Sequence, residues 1–354
     1  MAVIARTVQT FTRTNIREDV ANVIENVDPI ETPFLSSLSK GEKPASTYFE
    51  WTQDTHEEGV GTNAKLEGAD AEFEAAPPVS RLGNYTQISD KAIIISDTSR
   101  AVQNYGYEDE ATYQTMKKAV GLKKDMETRL LGHYGSNAGA RSEYSDAVPS
   151  VTSGGAARQT AGVPSWITTH YNKGADITEG SEPAAGPGGF NSNTKLVEVR
   201  KPGQSRSLTE VMFVNQLAAV MENTTMIPKS IYVPIKLKSR ISRVFKGVGD
   251  LQANYSAARG GAPSTLTAVS SIDFYRTDFG LVSIMWNRYM AKDIVLMLNM
   301  KKWKICYLIP YHIINIARTG RAIKKMLTVE FGLKCKHEKS NAILADITNE
   351  YSTT

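Results

Sequence analysis

Between residues 50 and 74 the chain carries eight acids (Glu50, Asp54, Glu57, Glu58, Glu67, Asp70, Glu72 and Glu74) against one base, Lys65. The flanks read as two extended limbs. Tyr48, Glu50 and Thr52 alternate with Phe49 and Trp51 on the way out, and Ser80 to Ser89 form the return. That two-residue alternation reads as extended chain. A hairpin this acidic cannot bury a core of its own, and a lone two-stranded hairpin is marginal in water. Such a segment is either disordered or held by a neighbour.

The chain before it is also written to be held. Residues 1–14 read as a flexible tail. Asn15 and Glu18 form a capping-box-like start to a short helix, and Ile16, Val20, Val23, Ile24 and Val27 fall on one of its faces. Asp28-Pro29 ends it, because the residue before a proline is pushed out of the helical region. Pro29 and Pro33 then pin the backbone around Phe34-Leu35, an apolar anchor. The apolar stripe has little nearby chain to cover it and must dock elsewhere.

The 354 residues are 41% hydrophobic and 22% charged, within the globular range. Cys306 and Cys335 make no disulfide framework and read as reduced, inert packing residues. The N-terminus lacks the apolar core of a secretory signal. The most apolar region, 294–316, is interrupted by Lys301, Lys302, Lys304 and Pro310, so no membrane contact is expected. A soluble, cytosolic product follows. Net charge is +4, but residues 1–205 hold 20 Lys/Arg against 27 Asp/Glu and residues 206–354 hold 21 against 10. The basic half lacks the aromatic-interleaved block of a nucleic-acid motif. Complementary charge between copies of the chain is the better reading.

Further along, Lys91–Ser96 reads as a strand that belongs in a core. Glu108 to Tyr134 is the longest helix, with Tyr113, Met116, Val120, Met126 and Leu130 recurring near helical spacing. About 26 residues at 1.5 Å each give a rod of roughly 40 Å. Residues 135–206 are loop-rich, with an ordered turn or short strand at Ser165–His170. A capping box, Ser207 with Glu210, opens a helix to about Asn223. Strands follow at Ser230–Pro234, Ala268–Arg276, Leu281–Trp286 and Ile294–Leu298, and Asp278-Phe279-Gly280 turns between the second and third. Lys325–Leu333 is the final strand and Asn341–Ile347 the closing limb. The fold class is α+β.

The chemistry-bearing residues are sparse. His56, His133, His170, His312 and His337 are isolated. Cys335 and His337 share a strand face, but no second pair completes a tetrahedral site. Gly247-Val248-Gly249-Asp250 and Gly154-Gly155 lack the lysine and hydroxyl sequel of a phosphate loop. The acidic run lacks calcium-loop spacing. No catalytic residue, metal or cofactor is assigned, and an enzyme is not expected.

Several phrases, taken in order, resemble the tailed-phage major capsid proteins with the HK97-like fold. The first is Asp28-Pro29 through Thr32-Pro33-Phe34-Leu35. Glu50-Trp51, Glu67-Gly68-Ala69-Asp70 and Arg81-Leu82-Gly83-Asn84-Tyr85-Thr86-Gln87-Ile88 follow. Lys124-Asp125-Met126-Glu127, Leu131-Gly132, Trp166-Ile167-Thr168-Thr169 and Leu208-Thr209-Glu210 continue the series. Asn287-Arg288, Trp303, Tyr307-Leu308, Ala317-Arg318-Thr319-Gly320 and Glu338-Lys339 complete it. The basic Lys301-Lys302 and the apolar 312–316 depart from the family pattern.

The resemblance implies an N-terminal arm (1–45), an E-loop hairpin (46–90) and a P-domain with a spine helix and glycine-rich connection (91–205). An A-domain (206–317) and returning P-domain strands (318–354) would follow. It further implies a major capsid protein that self-assembles into hexamers and pentamers of an icosahedral head enclosing double-stranded DNA. The implied partners are a portal, a separate scaffolding protein, decoration proteins and, weakly and without sequence preference, the packaged DNA. The location would be the virion, assembled in the host bacterial cytoplasm. Pro29, Pro33, Phe34, Leu35, Trp51, Glu57, Glu58, Glu72, Glu74, Arg81 and Tyr85 are the expected contacts between copies. Some relatives cross-link through a lysine and an asparagine; no such pair is assigned, and Lys65 and Asn63 read as ordinary surface residues. The rival reading is an encapsulin-like cellular cargo shell, and a soluble enzyme is the reading from another class.

Overall fold

The computed structural model describes residues 31–56, 59–68, 70–71, 73, 78–102, 109–132, 157–175, 188–198, 200–201, 203–224, 226–244 and 273–348. The amphipathic helix expected from Asn15 and the Asp28-Pro29 stop lie outside them. The elements begin with a helical turn α1 (Pro33–Ser37), a short β1 (Ser39–Lys40), strands β2 (Tyr48–Gln53), β3 (Ser80–Tyr85) and β4 (Gln87–Ser96), a turn α2 (Asp97–Ala101) and helix α3 (Glu110–Leu131). Next come α4 (Val163–Trp166), β5 (Tyr171–Asn172), the pair β6 (Gly189–Asn191) and β7 (Leu196–Glu198), helix α5 (Glu210–Thr224), β8 (Ser230–Val233) and α6 (Ile235–Val244). The chain closes with β9 (Phe274–Thr277), β10 (Gly280–Trp286), β11 (Val295–Leu298), β12 (Trp303–Ile316), β13 (Ala322–Cys335) and β14 (Ala342–Leu344). The mixture is α+β.

Two sheets organise these elements. One has the order β1-β12-β13-β4, and the other β5-β14-β11-β8-β10-β9. In the first, β12 and β13 form a long antiparallel ladder from Trp303↔Cys335 to Ile316↔Lys324, and β4 runs along the other edge of β13 from Ser96↔Ala322 to Gln87↔Phe331. Leu122, Met126 and Leu130 of α3 share its core with Leu327, Val329 and Phe331. The second sheet is buried on both faces, because alternate residues of a strand point oppositely. Ile231, Val233, Val295 and Met297 join a core with Phe213, Leu217, Leu237 and Ile241 of α5 and α6. Tyr232, Leu296 and Leu298 point the other way, into the core shared with α3.

Helix α3 is 22 residues long, about 33 Å at 1.5 Å per residue. Asp109 caps it: its carboxylate accepts the Ala111 and Thr112 amides at 3.3 and 3.2 Å. The Thr112 hydroxyl donates to it as well, and this chiefly holds the Asp109 carboxyl down at about 2. Gly132, at φ 67°, ends the helix in the left-handed conformation that favours glycine.

Several expectations are corrected. The strand at 91–96 exists, but only Ile95 is buried, while Ile88 and Ile94 are exposed. Met116 of α3 also faces out. Of the two readings of Ser165–His170, the ordered turn holds: the segment opens as the end of a buried helical turn. At α5 the capping hydroxyl is Thr209, which accepts the Met212 amide at 3.3 Å, because Ser207 is engaged by Arg240. The ladder of β12 was not anticipated. Pro310 interrupts its sequence, yet it falls in the register irregularity between Ile309 and His312, where a missing N–H is tolerated. β12 therefore belongs to the sheet of β13 and β4, and β14 to the six-stranded sheet.

Candidate assembly surfaces

The first surface element is the seat of the arm. Pro33 occupies the first turn of α1, where its missing N–H costs nothing. The next two amides, those of Phe34 and Leu35, donate to Glu127 Oε1 and Oε2 at 2.9 and 2.7 Å. Asn287 Nδ2 donates to the same Oε1 at 2.5 Å. Glu127 thus supplies, from α3, the cap that the Thr32 side chain does not give. Burial pushes the Glu127 carboxyl above the usual carboxylate range, against the opposing pull of these hydrogen bonds. The Phe34 ring meets Tyr232 edge-on at 5.6 Å, and Ser37 Oγ lies 2.8 Å from the Tyr232 hydroxyl. One turn of chain therefore touches α3 and β8, and it shares the Glu127 carboxylate with Asn287 after β10.

The second element is the stem of the loop. β2 and β3 pair over six positions, from Tyr48↔Tyr85 to Gln53↔Ser80. Phe49 and Trp51 turn inward. Phe49 lies on Gly332, where a Cβ would come within 2.5 Å of its ring. Trp51 packs on Trp166 at 5.4 Å, Trp166 stacks on Phe190, and the Lys334 ammonium sits 5.7 Å above the Trp51 ring. Tyr48 crosses Gly83, and burial raises its hydroxyl to about 12.

Buried polar groups lock the return limb. Asn84 Nδ2 donates to Thr160 Oγ1 at 3.1 Å and to the Leu333 carbonyl at 2.8 Å, while its Oδ1 accepts the Ala161 amide at 3.0 Å. Thr86 Oγ1 donates to Glu330 at 2.7 Å, and Arg158 pairs with the same carboxylate. A fully satisfied network of this kind specifies one geometry.

Beyond the stem the described residues between 54 and 79 are open to solvent. Val60, Leu66 and Phe73 are 67%, 86% and 94% exposed, and Asp54, Glu67 and Asp70 stand exposed among them. Three large apolar side chains are thus uncovered on an acidic loop.

The residues expected at contacts between copies separate into three groups. Pro29, Glu57, Glu58, Glu72 and Glu74 lie outside the described residues. Phe34 is fully buried in its own chain, Trp51 nearly so, and Leu35 packs against the same core. Within one chain these anchors face the core. Arg81 is exposed and pairs with Glu50 at 3.1 Å, Tyr85 packs on Tyr48, and Pro33 is half-buried. Asn84, Glu127, Arg158 and Glu330 hold the site but carried no expectation. Asn84 and Glu127 stand inside the quoted phrases, which was the only signal available. Among the described residues no group of three or more His, Cys, Asp or Glu could hold a metal, and no helix is long and apolar enough to cross a membrane.

The comparisons agree with this geometry. The chain is 26% identical over 332 residues to a major capsid protein of Escherichia phage Phieco32, covering 92% of each. Its fold is similar to the capsid of cyanophage A-1(L), with TM-score 0.60 and 12% identity over 96% of this chain and all of that one. A native GTA particle capsid gives 0.59 and 11% over 97% of this chain and all of the other. An encapsulin complex from Synechococcus elongatus PCC 7942 gives 0.50 and 10% over 94% and 95%. The last three likenesses establish the fold, which is HK97-like. The family model described as SU10 major capsid protein matches residues 4–348, and the chain belongs to that family of phage major capsid proteins.

Proposed function

We propose that each copy lends its acidic loop to a basic surface of an adjacent copy, and that this contact closes hexamers and pentamers into an icosahedral head around double-stranded DNA. The observation that carries the reading is the rigid stem with an open, apolar and acidic tip. The stem is fixed by Asn84, Trp51 and Gly332, whereas Val60, Leu66 and Phe73 have no cover among the described residues. Burying such area against a neighbour stabilises by about 25 cal/mol per Å2, and many weak contacts in a closed lattice act together. The charge asymmetry between residues 1–205 and 206–354 gives the contact its direction.

In this reading the four-stranded sheet with α3 is the P-domain and the six-stranded sheet the A-domain. The pairing of β12 with β13, and of β14 with β11, supports drawing the boundary by sheet rather than at residue 317. As a capsid protein the chain is part of the virion. Assembly in the host cytoplasm, a portal, scaffolding and decoration proteins, and weak contact with packaged DNA follow by analogy with the family. The role is structural rather than catalytic. The cargo-shell alternative has only fold similarity behind it, while the family match and the curated relative are phage capsid proteins.

Reversing Glu57, Glu58, Glu72 and Glu74 to lysine tests the loop contact. Shell yield by sedimentation should fall sharply, and the salt dependence of assembly should change. Unchanged yield and unchanged salt dependence would refute it.

A further inference from the structure

We propose that a groove between the end of α5 and the start of β12 is the seat for the loop tip of a second copy. The inference rests on the loop-to-neighbour reading and names the acceptor. The groove has a cavity volume of about 510 Å3, with Met226, Ile227 and Met300 in its lining and Lys229, Lys301 and Lys302 beside them. Among the described residues no acid lines it, and none of the three lysines is ion-paired to a described residue. Three ammonium groups around an apolar floor create a field that an acidic partner relieves. Methionine-rich floors adapt to the side chain they receive.

The loop tip offers the matching chemistry. Leu66 and Phe73 are apolar and exposed, with Glu67 and Asp70 between them. An aromatic anchor buries some 150–250 Å2, and a pocket of this size accepts it. The Glu67 and Asp70 carboxylates then fall to the lysine rim. DNA phosphate would satisfy the lysines but leave the apolar floor without a role. The tip and the groove are both open within one chain, so the occupant is a second copy.

Two variants test this together. Lys229→Glu/Lys301→Glu/Lys302→Glu should abolish shells while leaving the thermal melt of the unassembled chain unchanged. Adding Glu67→Lys/Asp70→Lys should restore shells, although the loop pair alone abolishes them. If the lysine variant assembles normally and the loop variant does not, the groove is not the seat, but the loop reading stands. If both assemble normally, the loop reading fails too. Loss without rescue assigns the lysines to another partner, such as DNA, and overturns the groove. A second measurement is independent of folding defects: Phe73→Cys with Met300→Cys should give an inter-chain disulfide in oxidised shells. Cys306 and Cys335 are buried and add little background. Absence of that cross-link in intact shells would also overturn the proposal.

Discussion

Glu127 is a carboxylate without a counter-ion among its hydrogen-bond partners, held instead by the Phe34 and Leu35 amides and the Asn287 side chain. In Glu127→Gln the oxygen facing Phe34 and Asn287 is kept, but the new amide meets the Leu35 N–H donor to donor. Leaving a buried donor unsatisfied costs about 1–3 kcal/mol. Urea unfolding should show that loss, and hydrogen exchange at the Leu35 amide should accelerate; an unchanged midpoint and exchange rate would contradict the role. The pH dependence has a fixed sign. Burial raises the folded-state value above the ordinary 4.5, so the folded chain binds this proton more tightly than the unfolded one. The group's contribution to stability therefore decreases as pH rises from 4.5 through the raised value. The stability difference between wild type and Glu127→Gln should fall with pH over that window. None of this was legible in the sequence, because a glutamate on a helix reads as solvated and its partners lie 92 and 93 residues away.

At the scale of elements, the loop stem was legible and its support was not. Alternation at 48–53 gave the extended limb, but not that Phe49 and Trp51 turn into the chain's own core. Trp51 is received by Trp166 and Lys334. What receives Phe49 is Gly332 on β13, whose bare backbone lies under its ring, and a glycine inside a strand carries no label for its partner. Gly332→Ala forces the ring aside, and overpacking of this kind costs about 1–3 kcal/mol. The tilted Trp51–Trp166 pair should report the shift as a changed near-UV circular dichroism spectrum, with a lowered melting temperature. A spectrum and melting temperature matching wild type would mean the contact is looser than the geometry indicates. β12 was missed because its apolar run, broken by lysines and Pro310, has neither strand nor helix period. Its pairing with β13 supplies the order that its own sequence lacks.

For the whole molecule, the order of elements was readable from phrases spread along the chain, while the division between sheets depended on long-range pairing. The larger correction concerns what holds the arm. Phe34 is anchored inside its own subunit and joins α3 to β8, so the arm turn stabilises the monomer, and in the proposed reading it is the exposed loop tip that joins copies. Under that reading, the separation makes the loop the assembly element and the anchor a folding element. Phe34→Ala should then lower the melting temperature of the unassembled chain, whereas loop charge reversal should leave it unchanged. Equal melting losses in both would contradict the separation. The most direct test is negative-stain electron microscopy of the full-length chain, produced together with the scaffolding protein of its phage, beside its Glu57, Glu58, Glu72 and Glu74 charge-reversed variant produced the same way. The account predicts uniform closed shells for the first and their loss in the second, whereas a small monodisperse oligomer that never closes, or shells from both, would contradict it.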